Sequence, residues 1–147
     1  MLNHQVLIRD ANEGDIGALT VLMNELGYLT SFSEMENRFK NITVHPDYKT
    51  LVAIVNNEIV GMAGLAKGIS YEKNGSYMRI VAFVVNQNRR KNGVGKALMT
   101  ASEDWAISQN LNTIVISSRN IDQRRAAHAF YLKMGYAIKS SGFVKQL

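Results

Sequence analysis

Cysteine is missing from all 147 residues of this sequence. That absence excludes disulfide frameworks, thiolate zinc sites and any cysteine nucleophile, and it fits a reducing cytoplasm, the expected location. Proline is nearly absent too: the one copy, Pro46, lies in His45-Pro46-Asp47 and marks a turn after a helix. No stretch approaches the roughly 18 consecutive apolar residues that a membrane span requires. The start, Met1-Leu2-Asn3-His4-Gln5, has neither the basic opening nor the apolar stretch of a signal peptide. Repeats, low-complexity tracts and linkers are lacking, so residues 1–147 read as one domain. What the chain does have is basic charge: 17 Lys and Arg against 12 Asp and Glu, a formal net of +5. Such a balance favours an acidic partner, whether nucleic acid, anionic lipid or a phosphorylated small molecule.

Periodicity supplies the elements. Val6 to Arg9 reads as a strand, and Asn12, with Asp15 three residues on, as a helix N-cap. Ile16, Leu19, Leu22, Met23 and Leu26 follow helical spacing up to Gly27. A second helix is expected from Ser33 to about Thr43, with Met35, Phe39 and Ile42 inward. Leu51–Val55 and Ile59–Ala66 flank a tight turn at Asn56-Asn57-Glu58. A longer strand, about Ser76 to Val85, ends in the apolar run Ile80–Val85 and is expected at the centre of a sheet. Then come a helix from about Gly93 to Gln109, a strand Thr113–Ser117, and a helix Arg124–Met134 closed by Gly135. Short strands around Ala137 and Phe143 finish the chain. The order β-α-α-β-β-β-α-β-α-β-β implies an α/β (mixed α+β) fold, a mixed sheet with helices on both faces.

The informative stretch is Val85-Asn86-Gln87-Asn88-Arg89-Arg90-Lys91-Asn92-Gly93-Val94-Gly95-Lys96. A buried strand runs into a basic, glycine-punctuated loop, and a helix begins at once. The first turn of a helix offers unpaired N–H groups and the positive end of the dipole, a ready anion site. A diphosphate held here explains both the glycines and the basic residues. Two familiar phosphate motifs fail. The P-loop needs glycine where Arg90 stands and Ser or Thr where Ala97 stands. The dinucleotide fingerprint needs a small residue at Leu98 and an acid about 20 residues on, where Ile114, Val115 and Ile116 stand.

Arg90-Lys91-Asn92-Gly93-Val94-Gly95 resembles the R/Q-x-x-G-x-G/A signature of the GNAT superfamily of N-acetyltransferases. Arg124-Arg125-Ala126-Ala127-His128-Ala129-Phe130-Tyr131-Leu132-Lys133-Met134-Gly135-Tyr136 is similar to the family's second signature, and the element order fits from first strand to last. The resemblance implies the GNAT fold: a central mixed seven-stranded sheet flanked by about four helices. It also implies acetyl-coenzyme A as cosubstrate, and no metal. By position, the amides from Arg90 through Lys91, Asn92, Gly93, Val94 and Gly95, together with Lys96, would hold the pyrophosphate, with Arg124 nearby. Phe83, Val84 and Val85 would border the pantetheine arm, and the Phe83 N–H would face the thioester carbonyl. Loss of one such fixed donor costs about a hundred- to a thousandfold in rate.

Tyr131 corresponds to the family's general acid. Collapse of a tetrahedral intermediate expels a thiolate of pKa about 8.5, and a tyrosine of pKa about 10 still has a proton to give. An attacking amine of pKa about 10.4 must first lose its own proton, at roughly 4–5 kcal/mol near neutrality. Arg79 and Ala82 occupy the positions where family members carry an acid, so the resemblance assigns no base. Glu34, Glu36, Glu72 and Tyr77 are the candidates on acceptor-side segments, each also readable as an ordinary surface or sheet residue; a water chain would serve as well. His4 and His45 read as surface residues and His128 as helix packing, with no zinc spacing among them.

Acceptor specificity is expected from Tyr28 to Phe39 and from the loop Gly68–Gly75, with Tyr28, Arg79 and Glu34 as substrate candidates. Short members with a similar motif and ending include aminoalkylphosphonate and aminoglycoside acetyltransferases, which implies a small primary amine; a protein N-terminus or lysine comes second. Homodimers are frequent in the family. A catalytically silent acyl-coenzyme A-binding regulator would share these motifs. A nucleic-acid module using Arg89-Arg90-Lys91 and Arg119, Arg124 and Arg125 lacks any recognised binding signature, so no specific nucleic-acid partner is expected.

Overall fold

A computed structural model describes residues 5–89, 92–117, 125–139 and 142–147. They form two compact units, Met1–Val115 and Ile116–Leu147, each described by itself.

In the first unit, β1 (Leu7–Asp10) leads into a 3-10 turn, Glu13–Asp15, and then α1 (Ile16–Leu26). Asn12 and Asp15 form the expected reciprocal cap: the Gly14 N–H donates to Asn12 Oδ1 (2.9 Å) and the Asn12 N–H to the Asp15 carboxylate (2.8 Å). Arg9 grips the same carboxylate through both guanidinium nitrogens, at 2.7 and 2.9 Å. Asp15 is buried, and these bonds hold its carboxyl below the usual range. α1 ends at Gly27, whose φ of +107° closes the last turn as only glycine does easily. α2 (Phe32–Thr43) follows, then β2 (Tyr48–Val55), β3 (Glu58–Ile69), β4 (Ser76–Val85), α3 (Val94–Ser108) and β5 (Ile114–Ile116).

The strands lie in the order β1-β2-β3-β4-β5. β1 through β4 are antiparallel neighbours. β4 reaches β5 only through α3, the long crossover that parallel neighbours need, so the sheet is mixed. Asn56 and Asn57, with φ of +51° and +64°, make the tight β2–β3 turn. One face carries α1 and α2: Leu19, Leu22, Met35 and Phe39 pack with Val52, Met62 and Val84. α3 covers the other face with Leu98 and Met99 fully buried. Each such side chain contributes about 1.5–3 kcal/mol by leaving water.

As the apolar run implied, β4 is an internal strand, flanked by β3 and β5, and β3 beside it has seven consecutive buried residues. Two expectations change. The sheet has five strands among the described residues, where seven were expected. Neither 136–139 nor 142–147 forms a strand, and Phe143 and Val144 stand exposed with no ladder to join. The second unit contributes one described helix, α4 (Arg125–Lys133), closed by Gly135 at φ +96°. No helix among the described residues is long and apolar enough to cross a membrane.

Candidate functional site

The edge of the site is set by an irregularity in β4. Gly64 pairs with Ala82 and Leu65 with Ile80, which leaves Val81 unmatched as a bulge. Gly64 makes room for it: a Cβ there would stand 3.3 Å from Val81 Cγ2 and 3.4 Å from Ala82 Cβ. Beyond the bulge, Val84 is buried beneath α1 and α2, while Phe83 and Val85 are half-buried and pair with Ala63 and Gly61 of β3. The bulge therefore resets the strand just before the three residues to which the family resemblance gives a role toward the cosubstrate.

The chain leaving β4 is tied down at once. The Asn86 N–H donates to Val60 O (2.7 Å) and the Arg89 N–H to Asn86 O (2.9 Å). The Gln87 N–H donates to the Glu25 carboxylate of α1, and the Arg89 guanidinium lies 3.7 Å from Glu58. Sequence reasoning missed Glu25 and Glu58, because both act across long separations that no local pattern reveals. Arg90, Lys91 and Arg124 lie outside the described residues.

α3 then begins without a side-chain cap. Gly93 occupies the N-cap with φ +80°, and the first helical bond is Ala97 N–H to Gly93 O (3.0 Å). The N–H groups of Val94, Gly95 and Lys96 precede that bond and meet no acceptor among the described residues. Asn92 and Lys96 are exposed, and nothing lies within 4 Å of where a Cβ on Gly93 would stand. Three open donors, the positive dipole end, a lysine and an unobstructed approach suit a diphosphate. The residues present fit the phosphate end of coenzyme A.

The acceptor-side candidates separate. Tyr28, Leu29 and Arg38 meet Met23, Leu26 and Val81 around a hollow of about 500 Å³ beside the bulge. Arg79 is exposed on β4, outside that lining, with no ion-pair partner among the described residues. Glu34 is a helix cap. Its N–H donates to the Ser31 hydroxyl (3.1 Å), and its carboxylate accepts the Ser31 N–H (3.0 Å), which with the hydroxyl holds the carboxyl below the ordinary range. The pattern Ser31-Phe32-Ser33-Glu34 was the available signal. The Tyr77 ring lies over Gly68, where a Cβ would come within 2.5 Å of it. Glu36 and Glu72 are exposed. His45 stacks edge-on against Tyr48, with centroids 4.9 Å apart.

In the second unit, Tyr131 is half-buried on α4 and lies between two rings, Phe130 at 5.9 Å and Tyr136 at 6.4 Å. The Tyr136 N–H donates to Tyr131 O (3.0 Å), which fixes the end of the helix and the Tyr131–Tyr136 ring contact. His128 is half-buried on the same helix.

Residues 18–136 match the acetyltransferase (GNAT) family profile. Among solved structures, a GNAT family acetyltransferase from Staphylococcus aureus subsp. aureus USA300_TCH1516 is 38% identical, with 97% of this chain and 98% of that one covered and a TM-score of 0.81. A transcriptional regulator from Bacillus halodurans C-125 is 22% identical over 97% and 100%, TM-score 0.85. The aminoglycoside N-acetyltransferase AAC(6')-Iy, in complex with CoA, is 14% identical over 98% and 95%, TM-score 0.84; at that identity the likeness is one of fold. Among curated proteins no significant match is found.

Proposed function

The chain belongs to the GNAT family of acetyltransferases, and from that premise we propose that it passes an acetyl group from acetyl-coenzyme A to the primary amine of a small molecule. The two units then form one catalytic domain, a reading supported by a family match that runs across both. The absence of cysteine supports a cytoplasmic setting. The observation that carries the proposal is the uncapped start of α3 directly after the bulged strand β4.

Bound acetyl-coenzyme A supplies a thioester: the amine nitrogen bonds to the acetyl carbon and loses a proton, the C–S bond breaks, and sulfur leaves as a thiol. The Val94, Gly95 and Lys96 N–H groups and the Lys96 ammonium would hold the pyrophosphate, with Asn92, Gly93 and the undescribed Arg90, Lys91 and Arg124 completing the grip. The main chain of Phe83, Val84 and Val85 would border the pantetheine, and the Phe83 N–H would stabilise charge on the acetyl oxygen. Tyr131 would give the departing sulfur its proton. Glu34 is unsuited as base, since its carboxylate is occupied by Ser31 and made less basic. Water in the open hollow beside Val81 would carry the amine's proton to solvent.

The reading is tested by a screen of amines for thiol release from acetyl-coenzyme A. With a genuine acceptor, Tyr131→Phe should lower kcat by about a hundred- to ten-thousandfold. Cosubstrate affinity should hardly change. Wild-type kcat in the folded variant removes Tyr131 from the chemistry.

A further inference from the structure

We propose that Asn92 is a site of spontaneous deamidation, and that its conversion to aspartate or isoaspartate weakens coenzyme A binding at the start of α3. The modification stands on the chain's own chemistry. Its effect on coenzyme A rests on the acetyltransferase reading above.

Only Asn74 and Asn92, of all the asparagines in the chain, precede a glycine. Asparagine is a thermolabile side chain, most of all before glycine, which has no Cβ to shield its nitrogen. The Gly93 nitrogen bonds to Asn92 Cγ, the Cγ–Nδ2 bond breaks, and ammonia leaves with the proton of the Gly93 N–H. Water then opens the five-membered imide at either carbonyl, giving aspartate or isoaspartate. Water is the one co-reactant.

Elsewhere the fold ties asparagine down. The Oδ1 atoms of Asn12, Asn24 and Asn86 accept backbone N–H groups at 2.9, 3.0 and 2.9 Å. Asn92 is exposed, and its side chain makes no hydrogen bond among the described residues. The Gly93 N–H is equally free there, with nothing within 4 Å of where a Cβ would stand. The attacking nitrogen must first lose its proton, and Gly93 is the N-cap of α3. The positive end of the dipole therefore favours that anionic step, and Lys96 adds to it. The features that suit this loop to a diphosphate also make it fragile.

An aspartate at this point places a negative charge directly before the three open N–H groups, where the diphosphate is proposed to sit. Isoaspartate also adds a methylene to the main chain just before the N-cap. Bound coenzyme A would cover the Gly93 nitrogen and protect the site, so the chain ages chiefly when it is empty. Asn74 is the internal comparison. It is exposed too, but the Gly75 carbonyl accepts the Ser70 N–H (3.5 Å) in the β3–β4 turn, away from the start of α3.

The test holds the whole chain at pH 8, with and without coenzyme A, and follows it by peptide mass spectrometry and calorimetry. Without coenzyme A the Asn92 peptide should gain one mass unit, partly as isoaspartate. Coenzyme A at about ten times its Kd should slow this conversion roughly tenfold and leave Asn74 unprotected. The aged chain should bind coenzyme A about tenfold more weakly, and fresh Asn92→Asp should show the same loss. Asn92→Gln, whose longer side chain closes the imide far more slowly, should keep its own starting affinity while Asn74 converts. No mass gain at Asn92 while Asn74 converts overturns the site. Full conversion with unchanged affinity, or conversion that saturating coenzyme A does not slow, overturns the link to the ligand. Fresh chain that binds no coenzyme A overturns the acetyltransferase reading and that link together, and the mass gain then decides the modification by itself.

Discussion

The starts of α2 and α3 are built on opposite plans. At α2 the N-cap is Ser31 and the third helical residue is Glu34, and the two satisfy each other's backbone donors at 3.1 and 3.0 Å. At α3 the N-cap is Gly93 and the third residue is Lys96, with no side-chain cap and no acid in the first turn. A glycine N-cap of this kind forgoes about a few tenths of a kcal/mol relative to a side-chain cap. The same positive dipole faces the Glu34 carboxylate at α2 and meets no first-turn acid at α3, which is why the proposed function gives α3 the diphosphate.

The largest effect is expected from making α3 resemble α2. Lys96→Glu places an acid at the position of Glu34, and coenzyme A affinity should fall about a hundredfold by calorimetry, the worth of one or two charged hydrogen bonds. Thermal stability should hold or rise slightly, because an acid now faces the dipole. An unchanged affinity would mean that the two starts do not differ in function. Next in size, Gly95→Val adds a branched side chain beside the open N–H groups and should weaken coenzyme A binding about tenfold, or 1.4 kcal/mol.

The reverse operation is smaller and falls on stability. Ser31→Ala opens α2 and should cost about 1 kcal/mol in chemical denaturation. Coenzyme A affinity should not change. A loss of affinity in this variant would show that the two starts are coupled. The smallest effect is on pH dependence. Glu34 has a lowered carboxyl in the folded chain, so its contribution is full above the unfolded value of about 4.3 and fades as pH falls through the lower folded value. Asp15 behaves likewise, with Arg9 as the larger cause. Ser31→Ala should therefore lose less stability than wild type between pH 5 and pH 3, measured by urea unfolding; a steeper acid loss would contradict the sign.

How much of this the sequence discloses depends on the range of the interaction. The Asn56-Asn57 turn, the bounds of β4 and the Asn12–Asp15 cap rest on neighbours a few residues apart, and each is readable. So was the α3 loop, because glycine and lysine stand where a cap and an acid would otherwise be. Glu34 was named as a candidate on the acceptor side, while its capping role, also in view in the Ser31–Glu34 spacing, was not read. The Val81 bulge depends on register against β3, and the Glu25 and Glu58 ties cross 62 and 31 positions (87 − 25 and 89 − 58), so neither leaves a local pattern. The two expected C-terminal strands rested on short apolar stretches alone, and residues such as Ile138, Phe143 and Val144 stay exposed.

The central claim, that the open start of α3 receives the diphosphate, is tested most directly by following backbone amide resonances while coenzyme A is added. The account predicts that Gly93, Val94, Gly95 and Lys96 show the largest shifts, with Ser31 to Glu34 nearly still. Saturable binding that moves the α3 amides no more than those of α2 would contradict it.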